Sequence, residues 1–264
     1  PRRVKKILVD ELTAAAKKYG EPRKTEILYE HQQLELPEEE PEAEYPVYLF
    51  LSREGYLKKI TPQSLRMSGE QKYKEGDGPR QSFETTSNAE LMLFTDRCQV
   101  YKTRLSDFDD GKASILGDYL PGKLGFDEGE SFFAAIFPGD YTGNLLFVFE
   151  NGKCAKVELS GYATKTNRRK LTGAYSDKSP LVSVLELPQE QELALYASDG
   201  RTLIFSTALL AAKTTRATQG VAVMALKKNA KIVRVQALSD SAIGNQARYR
   251  AKSLPAAGAL LRQE

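Results

Sequence analysis

Val47-Tyr-Leu-Phe-Leu-Ser-Arg-Glu-Gly-Tyr-Leu-Lys-Lys59 is the first of four related stretches. It is echoed by Leu91-Met-Leu-Phe-Thr-Asp-Arg-Cys-Gln-Val-Tyr-Lys102, by Leu145-Leu-Phe-Val-Phe-Glu-Asn-Gly-Lys-Cys-Ala-Lys156 and by Leu193-Ala-Leu-Tyr-Ala-Ser-Asp-Gly-Arg-Thr-Leu-Ile204. Each reads as a short apolar strand, a tight turn and a second strand. The turns fall at Glu54-Gly55, Asp96-Arg97, Asn151-Gly152 and Asp199-Gly200; Asn-Gly and Asp-Gly supply the positive φ angles that a two-residue hairpin needs. Aligning the turns places Gly55, Cys98, Gly152 and Gly200 in register, with spacings of 43, 54 and 48 residues. A period of this size built from β-hairpins predicts blades arranged around an axis.

Between the hairpins lie polar connections and further strand candidates, Gln81 to Thr86, Ser131 to Phe137, Pro180 to Leu187, and Val221 to Leu226 with Lys231 to Val235. At about 48 residues per unit, residues 46–264 allow four full blades and a partial fifth. The expected fold is therefore all-β, a propeller-like disc of about five four-stranded blades, possibly six, preceded by a short N-terminal helix. Closing a ring would remove the free sheet edges that invite aggregation. Ala247-Arg-Tyr-Arg-Ala-Lys-Ser-Leu-Pro255 reads as a closing strand or as a tail.

Upstream of the repeats, Val4, Ile7, Leu8, Leu12, Ala15 and Tyr19 recur at helical spacing and stop at Gly20, which predicts a helix from about Arg3 to Tyr19. His31 to Glu44 holds six Glu, two Pro and no Lys or Arg, and reads as an exposed acidic tether. The expected domains are 1–30, a helix and exit segment; 31–45, an acidic linker; and 46–264, the disc. The 264 residues, 41% apolar and 9% aromatic, rule out wholesale disorder. Cys98 and Cys154, with no neighbouring ligand pattern, exclude a disulfide scaffold and a structural zinc site, and point to a reducing cytoplasm. No apolar run reaches the ~18 residues of a membrane span, and Pro1 to Lys6 lacks a signal-peptide core. The single histidine, His31, excludes a His-based catalytic or metal constellation.

Ser52-Arg-Glu-Gly-Tyr-Leu-Lys-Lys59 resembles the first-blade motif of the C-terminal domain of the A subunit of bacterial type IIA topoisomerases, the gyrase and topoisomerase IV group. Leu8 to Ile27 is similar to the last helix and exit segment of that subunit's breakage-reunion core. Gly200-Arg-Thr-Leu-Ile-Phe205 followed by Thr215-Arg-Ala-Thr-Gln-Gly-Val221 looks like its late-blade pattern, and Leu116 to Glu130 resembles the connection into the third blade. The resemblance implies a β-pinwheel, a disc whose strands are exchanged between blades, which binds double-stranded DNA around a basic rim. It implies no catalytic residue and no metal or cofactor in this stretch; Mg and ATP belong to the holoenzyme, and the nucleophilic tyrosine lies upstream. The implied partners are DNA, the ATPase-bearing B subunit of the holoenzyme and the rest of the A subunit, with no membrane, in the cytoplasm at the nucleoid. One feature departs from the gyrase pattern. The stretch matching the gyrase box, about Gly69 to Gly78, keeps Gln71, Lys72, Lys74 and Gly76 but lacks a Gly-Gly pair and adds Glu75 and Asp77. That puts strong wrapping in doubt and brings the chain closer to topoisomerase IV.

Charge is uneven along the repeats. Residues 46–150 hold 12 basic and 16 acidic side chains, and residues 151–264 hold 18 and 8, although the whole chain has 38 against 35. The expected DNA contacts are two basic loops, Lys165, Arg168, Arg169 and Lys170, and Lys213, Arg216, Lys227 and Lys228. They are joined by Lys58, Lys59, Lys102, Lys153, Lys156 and Arg201 on the hairpins and by Lys72 and Lys74 in the box. Such side chains meet phosphates and carry little base preference. Lys58 and Lys59 read equally well as outward-facing strand residues. Tyr56, Tyr101 and Phe205 read as core, Cys98 as a neutral replacement for glycine, and the Asp107-Asp109-Asp110 cluster as a turn rather than a calcium loop, because the Asp-x-Asp-x-Asp spacing is absent. The alternative reading is a propeller serving as a protein-interaction or enzyme scaffold; against it, no acidic position recurs across the four hairpins.

Overall fold

The computed structural model describes residues 2–21, 44–67, 70–164 and 169–262 and divides into two compact units, Pro1–Glu42 and Ala43–Glu264. In the first, α1 (Arg2–Tyr19) has no buried residue, and its apolar stripe, Val4, Ile7, Leu8 and Leu12, is exposed. The amide of Gly20 donates to the Ala16 carbonyl, the last bond of the helix ladder. The exit segment beyond Glu21 and the acidic tract to Ala43 lie outside the described residues.

In the second unit, β1 (Pro46–Ser52) and β2 (Tyr56–Ile60) form the first hairpin, α2 (Pro62–Met67) packs on β1, and β3 (Pro79–Thr86) returns antiparallel to β1. The second hairpin, β4 (Glu90–Thr95) and β5 (Gln99–Arg104), is followed by β6 (Asp110–Gly111) and β7 (Asp118–Tyr119), which go back to pair with β2. After α3 (Leu120–Leu124), β8 (Phe132–Ile136) pairs with β4. The third hairpin, β9 (Asn144–Phe149) and β10 (Lys153–Glu158), sends β11 (Lys170–Thr172) back to β5 before β12 (Leu181–Leu187) joins β9. The fourth, β13 (Glu192–Ala197) and β14 (Arg201–Ser206), sends β15 (Val221–Ala222) back to β10 before β16 (Ile232–Ala237) joins β13. Following α4 (Gln246–Tyr249), β17 (Ala259–Leu260) pairs with β14. Each hairpin after the first is thus followed by a strand lent to the previous blade, which is the strand exchange of a β-pinwheel.

The described residues form four blades. The residues available for a partial fifth are used elsewhere: Val221–Ala222 edge the third blade, Ile232–Ala237 complete the fourth, and Ala247 to Pro255 lead directly into β17. Counting residues per period misses this because the last blade takes its fourth strand from the tail rather than from a following hairpin.

Hydrophobic layers fill the joints between blades. Leu49, Leu51 and Leu57 meet Leu91, Leu93 and Phe132 at the first joint. Met92, Phe94 and Ile136 meet Leu145, Phe147 and Val157 at the second. Leu146, Val148 and Cys154 meet Leu193, Leu195 and Phe205 at the third. Both faces of an inner blade are buried, which explains why its strands are continuous apolar runs rather than alternating ones. Burying each Leu or Phe contributes about 1.5–3 kcal/mol. The outward face of the fourth blade, with Ala194, Tyr196 and Ile204, is covered by Ile243 and Tyr249. The turn register holds: Gly55, Gly152 and Gly200 have φ of 88°, 79° and 80°, and Cys98 adopts the same left-handed conformation at 55°. Cys98 is therefore not a neutral replacement, since a side chain there is strained.

Candidate nucleic-acid interface

β12 touches both β8 and β16, so these first-edge strands line the axis. The opposite edges, β6 with β7, β11, β15 and β17, form the rim. The rim segments differ in charge. The first blade's segment, 105–119, has Asp107, Asp109, Asp110 and Asp118 against Lys112 alone. The second blade's, described at 163–164 and 169–172, has Arg169 and Lys170; the third's, 211–222, has Lys213 and Arg216; the fourth's, 247–262, has Arg248, Arg250, Lys252 and Arg262. None of the last three contains an acidic residue.

Of the expected contacts, Lys72, Lys74, Arg169, Lys170, Lys213, Lys227 and Lys228 are exposed, and Lys153 and Arg216 half-buried. Lys165 and Arg168 lie outside the described residues. Several of these groups already have partners. Lys74 pairs with Glu54 at 2.8 Å and Lys153 donates to Gln219. Arg216 donates to the Gly161 carbonyl at 3.0 Å. Lys170 pairs with Asp127 at 2.8 Å, which raises the lysine above its ordinary range, while Lys170 and then Gln99 lower the Asp127 carboxyl. Lys213 is held by its backbone, which exchanges hydrogen bonds with Lys156 and Glu158 and so lays the segment along β10.

Five expected contacts face inward instead. Lys58, 3% exposed, donates to the carbonyls of Lys72 (2.7 Å) and Ala113 (3.4 Å), and burial lowers its pKa. Lys59 donates to the Leu105 carbonyl at 3.1 Å and pairs with Asp110 at 3.1 Å. Lys102 binds the Tyr162 carbonyl at 3.3 Å and Glu90 at 3.1 Å. Lys156 binds the Thr207 carbonyl at 3.4 Å and the Glu190 carboxylate. Arg201 bonds Asp199 at 2.8 Å and the Ala257 carbonyl at 2.6 Å, tying the fourth rim segment to its hairpin. These ammonium and guanidinium groups are used by the fold, because a buried charge keeps its partners or destabilises the protein. Strand position alone does not reveal this, since charged strand residues usually face water.

Sequence reading missed Arg248, Lys252 and Arg262 on the fourth rim, all exposed, while the neighbouring Arg250 forms a two-pronged pair with Glu192 at 2.7 and 2.9 Å. The alternation Arg-x-Arg-x-Lys from Arg248 to Lys252 was visible, but only pairing of β17 with β14 places it on the rim. The box segment belongs to the first blade. Besides the Lys72 carbonyl bound by Lys58, Asp77 accepts the amides of Glu54 (3.1 Å) and Gly78 (2.7 Å). Among the described residues, no helix is long and apolar enough to cross a membrane.

No family model matches the chain. It is 24% identical over 209 residues to the DNA gyrase A subunit of Mycoplasma pneumoniae, covering 76% of this chain and 25% of that protein. It is 24% identical over 209 residues to the DNA topoisomerase 4 A subunit of Bacillus subtilis, covering 77% and 25%. The chain thus spans about a quarter of the length of these curated relatives. Among solved structures, the C-terminal domain of DNA topoisomerase IV superposes with a TM-score of 0.65 at 27% identity, covering 74% of this chain and 62% of that one. The E. coli ParC C-terminal domain, alike in fold at 14% identity, gives 0.62 with 82% and 94% covered. The exchanged strands, the hairpin repeats and these similarities together make this chain a homologue of the A subunits of DNA gyrase and topoisomerase IV, corresponding to their C-terminal domain.

Proposed function

We propose that the disc binds double-stranded DNA along the rims of blades two to four and bends it modestly, without base selectivity. In this role it is the non-catalytic part of a type IIA topoisomerase that presents a transported duplex for ATP-dependent strand passage. Catalysis then belongs to the ATPase-bearing B subunit together with the rest of the A subunit, working on the nucleoid in the cytoplasm. The observation that carries the reading is the charge partition: three consecutive rim segments are purely basic and the first is acidic. Arg169, Lys213, Lys227, Lys228, Arg248 and Lys252 are exposed on or beside these segments. About six phosphate contacts give a salt slope near −5, enough to hold a bend costing about 1–6 kcal/mol. Strong wrapping is disfavoured by the acidic first rim and by a box whose Lys74 is already paired with Glu54.

The test is fluorescence anisotropy of labelled duplexes of unrelated sequence from 50 to 200 mM salt. Similar affinities for all sequences, falling steeply with salt, are expected. Salt-insensitive binding, or none, would overturn the reading in favour of a protein-interaction scaffold.

A further inference from the structure

Counting four residues on from each turn residue at Gly55, Cys98, Gly152 and Gly200 gives Lys59, Lys102, Lys156 and Ile204. All four sit on the second hairpin strand, and the three lysines point across the face toward the next blade. Register shows this directly: Lys59 is cross-strand from Leu49, Lys102 from Met92 and Lys156 from Leu146, and those three apolar residues lie in the first, second and third joints. Each lysine reaches a carbonyl in the 3₁₀ turn that leaves the next blade's hairpin, at Leu105, Tyr162 and Thr207. Each also pairs with one carboxylate, Asp110, Glu90 and Glu190. These turns are where the chain crosses back to become the rim of the previous blade. Among the described residues no blade follows the fourth. There Ile204 is fully buried against Ile243 and Tyr249.

We infer that Lys59, Lys102 and Lys156 are positioning residues that set the angle between successive blades and so the curvature of the DNA path. The functional half rests on the DNA-binding reading above; the geometric half does not. Apolar contacts alone tolerate small rotations of one layer on another, because they are non-directional. A buried ammonium with two fixed acceptors does not, since any rotation that parts it from the carbonyl strands a charge in an apolar joint. The surroundings reinforce this at the second joint, where Tyr141 lies under the Lys102 ammonium at 4.7 Å and its hydroxyl donates to the same Glu90. A device present at three joints and replaced by an aliphatic residue where no joint follows belongs to the joint rather than to the strand.

The test measures the joint and the DNA separately, using spin labels carried on genetically encoded azido residues at Arg97 and Asn151, exposed turn positions of blades two and three. In Lys102→Met, the distance distribution is expected to shift and broaden, while a pair spanning blades three and four at Asn151 and Ser198 keeps its distribution; Lys102→Arg restores the original. With DNA, the variant's bend angle by energy transfer falls while its salt slope is unchanged, since no phosphate contact is removed. An unchanged label distribution in folded Lys102→Met overturns the inference. Should that variant fail to fold, Lys156→Met measured at the third joint decides in the same way. If the parent protein bends no DNA, the DNA-binding reading falls and the label distances still judge the joint.

Discussion

Replacing Gly220 with alanine tests how the rim is attached. Gly220 enters β15 with φ of 69°, and a Cβ there would lie 2.1 Å from the carbonyl oxygen of Cys154. Real Cβ contacts do not fall below 3.0 Å, so the rim strand must retreat by about an ångström. Retreat strains the pairing of Val221 with Cys154 and the bonds from the Val223 and Met224 amides to the Gly152 carbonyl. The left-handed backbone costs alanine about 1–2 kcal/mol, and two weakened hydrogen bonds add about 1 kcal/mol each. The sum, about 3–4 kcal/mol, corresponds to a fall in Tm of roughly 6–16 °C for a domain of this size. The control is Gly173→Ala, where φ is 61° but nothing lies within 4 Å of the new Cβ; it should lose only about 2–8 °C. Thermal unfolding followed by circular dichroism compares the two. Equal losses would refute the close-approach argument. The same approach recurs at Gly117 over Leu57 and Gly258 over Thr202, which with Cys154 occupy one position of the repeat. A rim strand crossing at contact distance is thus part of the repeat in three of the four blades.

Ile204→Lys places at the fourth blade the residue that the other three carry, in an apolar cluster with Ile243, Tyr249 and Leu238 rather than against the turn of a following hairpin. An uncompensated buried charge should cost about 3–5 kcal/mol by urea unfolding, and a loss under about 1 kcal/mol would show that the site supplies its own acceptors. Glu190 gives a pH signature. Its bond to Lys156, and then that to Thr207, hold its carboxyl below the ordinary range, so the ionised form is favoured in the folded protein. That contribution is fully present above the unfolded value of about 4.3 and is lost as pH falls through the lower folded value. The stability gap between the parent protein and Lys156→Met should therefore narrow below about pH 4; a constant gap down to strongly acid pH would contradict the assignment.

The hairpins were legible without coordinates because turn chemistry is local. Asn151-Gly152 and Asp199-Gly200 announce themselves, and their register extends to Cys98, where only alignment with its counterparts reveals a left-handed turn. The basic second half of the disc was legible too, since charge counts need no geometry. Burial of the strand lysines was not. Lys59 and Lys156 read like solvent-facing strand residues, and their acceptors Leu105 and Thr207 are 46 and 51 positions away. Composition and spacing determined by themselves the all-β class, the hairpin repeat and the sign of its later half, because these depend on residue type and local order. Tertiary structure alone decided the number of blades, which strands are exchanged and which cations reach solvent, because each depends on where distant segments meet and what they exclude from water.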